Sequence, residues 1–447
     1  MRINVISDRV SNRLNYVFEY LFSDFEDIQM VVSDRAEPER GDLIISYGRS
    51  NMDGARMYIP PSDFLKPGFF SGKEEDFLPD WNHIVDRVEK GCYHLKADLP
   101  GIVFFFLSRM EEYHFSSSDY LERFCATDSI LNRKGLADIA VVDRMKNRWN
   151  ALLIQICPEL SLRPAKPTIL ASCDIDVLYA YHGKSFLKIL AGGLRELIQW
   201  DLNAFSVRMQ YLFGRSQDPF FSFHYLLNLS ESLDVRLKAF ILCPHLIEFS
   251  EDRGGEQLSE FADHKLRKLF GKMDVGLHPS VSAADNVEKI SLEKEKLEML
   301  LQVNLTKSRQ HYLRMRFPDT YRALLKAGIK EDFSMGFHDG VGFRAGTSRP
   351  FYWYDLEREK TTDLLVHPLV LMDVALKNHM DLKPRDAKEK IRILIKEIKE
   401  TNGNFSYLWH NSSISGPGKW NEWISVLEFM VEELLISYDF QGDLPDS

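Results

Sequence analysis

The sequence predicts an α/β protein in which residues 164–447 form an irregular (β/α) barrel of about seven units, preceded over residues 1–163 by a smaller α+β or α/β domain. Three observations predict it. Apolar β-rich runs alternate with helical segments from Thr168 onward, which implies parallel βαβ pairing. The stretch 161–167 carries Pro164 and Pro167 between a helical pattern and an apolar run, and marks a boundary. Chemistry-bearing side chains recur at the C-terminal ends of the predicted strands, the rim on which such barrels build their sites.

In the first domain, 43–47 and 57–59 read as short strands and 102–112 as a buried helix. Glu111, Glu112 and His114 stand at the end of that helix. Adjacent acids there read as a solvated terminus rather than a metal site. Beyond the boundary the predicted strands are 168–173, 236–242, 273–277, 307–312, 329–335, 362–366 and 405–409. Helical segments fall near 184–212, 220–234, 256–271, 291–303, 318–327, 385–401 and 420–435.

Composition bounds the function. At 45% hydrophobic and 12% aromatic, the chain can bury a core and does not read as disordered. The net charge of −10 and interleaved runs such as Glu293-Lys294-Glu295-Lys296 argue against a nucleic-acid partner. The five cysteines show no metal spacing and read as buried thiols of a reducing compartment. The start of the chain does not read as a signal peptide, and the longest apolar run, 102–107, is far short of a membrane span. The expectation is a cytoplasmic protein acting on a soluble intermediate.

The first strand of the barrel runs into Asp174-Ile175-Asp176, and the strand 273–277 into His278-Pro279-Ser280. Others deliver Arg309-Gln310-His311-Tyr312, Asp332 with Ser334, and Trp409-His410-Asn411. Singly each has a bland reading: a capping carboxylate, a satisfied histidine, an arginine over a core edge. Together they put carboxylate, imidazole and guanidinium on one rim. A hydrolytic divalent metal needs such ligands and an open position for water, a carboxylate base, and an acid for the leaving group. Asp174 or Asp176 with His278 supply ligands and base, and His410 the acid. The reading is metal-assisted amide hydrolysis.

These residues resemble the polysaccharide deacetylase (NodB-homology) family over roughly residues 165–440, and a bacterial group of it with an uncharacterised N-terminal domain. The resemblance is carried by Pro167-Thr168 through Asp176-Val177, Ala180 to Lys184, Gly276 to Ser280, Ser308 to Arg314, Gly342 to Thr347, Leu408 to Asn411 and, upstream, Phe106 to Tyr113. It implies that Asp174 is the general base, Asp176 a metal ligand, Arg309 the residue orienting the base, and His410 the acid. The family's leading aspartates are adjacent, whereas Ile175 separates them here, so the two roles are open to exchange. The family's second motif has two histidines four apart. His278 matches the first, Ser282 stands at the second, and His311 is the candidate replacement ligand. The implied activity is removal of an N-acetyl or O-acetyl group from a carbohydrate or sugar-linked intermediate in cell-surface polysaccharide biosynthesis. The implied cofactor is a divalent metal, zinc first, with nickel or cobalt as alternatives.

Arg344, with Arg349 and Tyr354 in the loop 342–355, and Tyr312 and Trp409 are the candidate carbohydrate-binding residues; the bland reading of that loop is arginines pinning backbone carbonyls. His338 and Asp339 carry less weight, and His367 reads as structural. Tyr179 and Tyr181 stand beside the first strand end as further stacking candidates. Two other functions compete: an inactive deacetylase-like barrel that binds sugar or acts as a scaffold, which Ser282 favours, and a glycosidase pairing Asp174 with Asp332.

Overall fold

The computed structural model describes the chain except residues 36–38, 40, 71–77, 79, 81–82, 118, 165, 415–419 and 439–447. Ala165, inside the predicted boundary stretch, thus lies outside the described residues. Strands β1 (Arg2–Ser7), β2 (Gln29–Ser33), β3 (Leu43–Tyr47), β4 (Met57–Ile59), β5 (Val85–Glu89) and β6 (Cys92–Leu95) form one sheet in the order β2-β1-β3-β4-β6-β5. It is parallel except for the antiparallel pair β5–β6. The strands at 43–47 and 57–59 stand where the sequence places them; β1, β2, β5 and β6 add to them.

The helix Leu99–Leu107 is buried all round, and Asp98 caps it by accepting the Gly101 N–H. It ends before the predicted 112, because Arg109 turns into the left-handed region at φ 55°. Glu111 and Glu112 correct the reading of a solvated terminus, since both are buried and paired with Arg109. His114 packs its ring against Phe70 instead.

The second sheet contains β7 (Ile169–Ile175), β8 (Lys238–Leu242), β9 (Asp274–His278), β10 (Lys307–Ser308), β11 (Glu331–Met335), β12 (Phe351–Asp355), β13 (Lys360–Pro368), β14 (Leu371–Met372) and β15 (Phe405–Leu408). Its order is β12-β13-β11-β10-β9-β8-β7-β15-β14, parallel except for β12. Only two residues separate β13 from β14, yet they stand at opposite sides of that order. The Leu369 N–H donates to the Met335 carbonyl at 2.8 Å, and the next N–H, of Val370, to Ser406 at 3.0 Å. One continuous segment, 360–372, therefore pairs with β11 on one side and β15 on the other. It closes a barrel of seven strand positions, with β12 lying outside the ring. The α/β barrel and smaller α/β unit that the sequence predicts are the observed architecture.

Local boundaries differ where turn chemistry wins. The helical stretch predicted at 184–212 is a hairpin, Phe186–Ile198 and Leu202–Leu212, broken at Trp200 (φ 57°). The strand predicted at 307–312 stops at Ser308, and His311–Leu313 is a turn.

The two sheets share one hydrophobic core. Buried and part-buried polar contacts tie the loop 342–355 to both units. Arg344 donates from Nε to Glu112 Oε1 at 3.0 Å, from Nη2 to Glu112 Oε2, and from Nη1 to the Gly336 carbonyl at 2.9 Å. Asp143 takes the hydroxyls of Thr347 and Ser348. Arg349 reaches Asp24 and the Thr401 carbonyl, and Tyr354 is buried against Glu359. The expectation that loop 342–355, and Arg344 in particular, meets substrate is therefore corrected. The loop is an internal strut, and all three guanidinium nitrogens of Arg344 donate within the protein.

Breaking a buried ion pair by removing one partner leaves an uncompensated charge. Arg344→Met is expected to cost about 3–5 kcal/mol. Urea denaturation should show a lower midpoint with an unchanged slope; a loss below about 1 kcal/mol would contradict a structural role for this pair.

Candidate functional site

Residues of a strand that are two apart point to the same face, so Asp174 and Asp176 share one side of the end of β7. Register levels the neighbours: Asp174 pairs with Phe240, and Leu242 of the same strand with His278. The Arg309 N–H donates to the Leu277 carbonyl, which sets Arg309 one step along the same rim. Barrel closure brings β15, and with it His410, beside β7.

Three imidazoles converge on Asp176. His278 Nε2 lies 3.2 Å from Asp176 Oδ1 and 3.7 Å from Asp174 Oδ2. His311 Nε2 is 3.6 Å from Asp176 Oδ1, and His410 Nε2 is 3.8 Å from Asp176 Oδ2. Each ring is oriented by its other nitrogen. His278 Nδ1 meets the Arg309 carbonyl at 2.6 Å, His311 Nδ1 meets Asp252 at 3.0 Å, and His410 Nδ1 meets Asp373 at 2.7 Å. Carbonyl and carboxylate oxygens only accept, so each Nδ1 donates. In the neutral ring the Nε2 lone pair then faces the site.

The ligand atoms of Asp176, His278 and His311 all lie within 4.8 Å of one another. Asp176 Oδ1 is buried and accepts no hydrogen bond among the described residues. An orphaned carboxylate oxygen facing two inward imidazole lone pairs is the donor set that suits a divalent transition ion. Ser282, where a second histidine would otherwise stand, turns its hydroxyl to Ser280 at 3.2 Å.

Asp174 is buried and accepts from Arg309 Nη1 at 2.9 Å; the same nitrogen donates to Ser172 Oγ, and Nε to the Phe333 carbonyl. The guanidinium lies over the Phe240 ring at 4.5 Å. Gly276 makes room for that ring, since a Cβ there would stand 2.6 Å from it. Burial opposes charge on Asp176, but His311 first, with His278 and His410, holds its carboxyl well below the usual range. Burial likewise opposes charge on His410, yet Asp373 above all, with Asp176 and Asp174, raises it to about 10. His311 is raised to about 9 against burial by Asp176 and Asp252.

These groups line a pocket of about 60 Å³ with Arg123, His338, His379 and an apolar wall of Leu313, Met372, Val374 and Leu408. That volume holds a small acyl group and a few waters rather than a sugar ring. Tyr312 lines it at 41% exposure. Trp409 does not: it is fully buried behind the strand, so the stacking role expected of it is corrected. Asp332 is buried too, accepting from Tyr321 and Ser334, and does not line the pocket; the Asp174–Asp332 pair of a glycosidase is not assembled. His367 is paired with Glu331 and stacked on Phe333.

Cys125, His338 and Asp339 also approach one another at the mouth. There, however, the Arg123 cation that with burial holds His338 down to about 4 would repel an ion as well, and Asp339 already accepts from the Ala126 N–H. A larger cavity of about 610 Å³ lies between the two units; its described lining holds no histidine or cysteine, and Asp24 meets two of its cations, Lys146 and Arg349.

Sequence reasoning missed Asp373, Asp252, Arg123 and His379. Asp373 carried the same signal as the others, an apolar run (370–372) ending in a carboxylate. Pro368, which cannot donate to a ladder, separates that run from the predicted strand 362–366.

A family model described as a family of unknown function, DUF7033, matches residues 3–158, which span β1–β6 and the helices packed with them. No curated protein matches the chain. A provisionally named polysaccharide deacetylase from Mycobacterium smegmatis is 15% identical, covering 61% of this chain and 86% of its own, with a TM-score of 0.37. A 4-α-glucanotransferase from Thermococcus litoralis is 14% identical with a TM-score of 0.35; the match covers 62% of this chain and 38% of that enzyme.

Proposed function

We propose that the barrel is a metal-dependent hydrolase that removes an acetyl group, N-linked first and O-linked second, from a carbohydrate. The observation that carries the reading is the convergence of Asp176 Oδ1, His278 Nε2 and His311 Nε2, each ring tied outward through Nδ1. These three residues would hold the ion. When bound, a divalent ion polarises the acyl carbonyl and makes its water acidic near neutral pH.

The remaining steps belong to the chain. Asp174, aimed by Arg309, takes a proton from the attacking water. His410, charged against Asp373, gives a proton to the leaving nitrogen or oxygen as the acyl bond breaks. Acetate and a free amine or hydroxyl result. Leu313, Met372, Val374 and Leu408 receive the acyl methyl, and the sugar rests at the mouth beside Tyr312.

Elemental mass spectrometry should find one divalent ion per chain, with zinc, nickel and cobalt the ions to try in reconstitution. His278→Ala and His311→Ala should lose it, and Ser282→Ala should keep it. Asp174→Asn and His410→Ala should keep it while acetate release from N-acetylated oligosaccharides falls about 10²–10⁴-fold. A chain that takes up none of these ions after reconstitution refutes the assignment.

The His410–Asp373 pair also makes a pH prediction for the metal-free chain. A raised histidine pKa contributes stability that is full below about 6.5 and is lost as pH rises through about 10. Asp373→Asn should lower the His410 titration, followed by NMR, by about 1–3 units. The stability difference between wild type and variant should shrink as pH rises through about 10. Unchanged titration would exclude Asp373 as the orienting partner.

A further inference from the structure

Between β7 and the next barrel helix the chain inserts the helical hairpin Phe186–Ile198 and Leu202–Leu212. It rises from the C-terminal end of β7, the rim that carries Asp174 and Asp176. Asp218 accepts the N–H groups of Ala180, Tyr181 and His182 at its base. Asn411, next to His410, donates to the Val177 and Phe220 carbonyls on either side of it. The hairpin has its own small core of Ala180, Tyr181 and Ile189, packed by residues of the second helix.

Its outer face is apolar and uncovered. Leu187 is 77% exposed, Leu194 61% and Ile198 71%, with Phe186, Leu190 and Leu197 completing one helical stripe about 20 Å long. Trp200, 84% exposed, stands at the tip. The segment 184–215 carries five Lys or Arg against two carboxylates, in a chain whose net charge is −10. Both carboxylates are engaged: Glu196 pairs with Arg208, and Asp201 caps the second helix. Lys184, Lys188, Arg195 and Arg215 are exposed. A second exposed apolar group, Leu246, Ile247 and Phe249, follows β8 and so stands on the same rim, one strand away.

We infer that this hairpin docks the barrel mouth on an anionic membrane surface. A helix with leucines, phenylalanine and tryptophan on one face and cations around it lies in the plane of the lipid headgroups. Juxtaposing two copies of this cationic face would bring like charges together, whereas acidic headgroups complement it. No described helix is long and apolar enough to cross a membrane, so the hairpin lies on the bilayer. Resting on the hydrolase reading, the docked mouth takes acetylated saccharides borne on membrane lipids.

The test is flotation of the full chain with vesicles rich in phosphatidylglycerol or made of phosphatidylcholine alone. Binding should favour the anionic vesicles, weaken between about 0.1 M and about 1 M salt, and fall at least about tenfold in the Leu187→Asp, Leu194→Asp, Trp200→Ser variant. Lys188→Glu with Arg195→Glu should remove the preference for anionic lipid. The apolar variant should keep the wild-type melting temperature and metal content. Wild type should release more acetate from an N-acetylated glycolipid in anionic vesicles than from its water-soluble headgroup, and the apolar variant should lose only that preference. No flotation, or flotation indifferent to both variants, overturns the inference. So does a concentration-dependent dimer, by sedimentation, that the apolar variant abolishes without any vesicle binding. Flotation without acetate release from either substrate upholds docking and sinks the hydrolase reading instead.

Discussion

The site depends on one pair of hydrogen bonds, made in opposite directions by adjacent residues. Leu369 bonds to β11 and Val370 to β15, so the segment 360–372 joins the two sides of the second sheet. Without that closure the last strand would be an edge, and His410 would have no fixed relation to Asp176. The same segment ends in Asp373, which receives both the main-chain N–H and the Nδ1–H of His410. Barrel topology and the orientation of one imidazole are thus set by the same stretch of chain.

Closure also concentrates charge. Asp174, Asp176, Asp252 and Asp373 all converge on one rim, and like charges so close need compensation. Asp174 has Arg309, Asp252 has His311 and Asp373 has His410. Arg309 is itself carried on the ring of Phe240, which fits only because position 276 lacks a Cβ. Asp176 differs: its buried Oδ1 has imidazoles near it but accepts no hydrogen bond among the described residues. Every other carboxylate is used to aim a cation or a ring, and the one left over faces the pocket.

Much of this was legible because strand ends are read from short apolar runs. The ends at Asp176, His278 and His410 follow such runs, whereas Arg309 follows the short polar strand Lys307–Ser308, and register then sets them on one rim. What escaped reading lies where the local signal is broken or absent. Pro368 interrupts the closing strand, so no predicted strand reaches Asp373. Asp252 sits in the 3₁₀ stretch Ser250–Ala262, which has no strand or helix period to place it. Arg344 and Trp409 have the composition of a sugar site, and only the fold shows that one bridges two units and the other lies behind the barrel wall. Glu112, read as a solvated end, needs the partner that Arg344 brings from 232 residues away.

His311 ties the N-terminal unit to this chemistry. With Ser282 turned toward Ser280, the imidazole opposite His278 comes from the next strand end, and to face inward it must leave the strand early. The chain manages this with two successive left-handed residues, Tyr312 (φ 58°) and Leu313 (φ 51°), each costing roughly 1–2 kcal/mol for a side chain of this kind. Such a turn persists only where its surroundings hold it. The holding contacts come from the first unit: Arg123, itself fixed by Asp119, donates to the Tyr312 carbonyl, and Arg314 donates back to the Leu121 carbonyl. Asp252, oriented by the Val281 N–H, then fixes the ring. Residues 119–124 thus supply the clamp on this turn, and Asp252 the direction of the His311 ring. The smaller unit therefore helps to shape the site, because the strained early strand exit at the rim is held in place from across the interface.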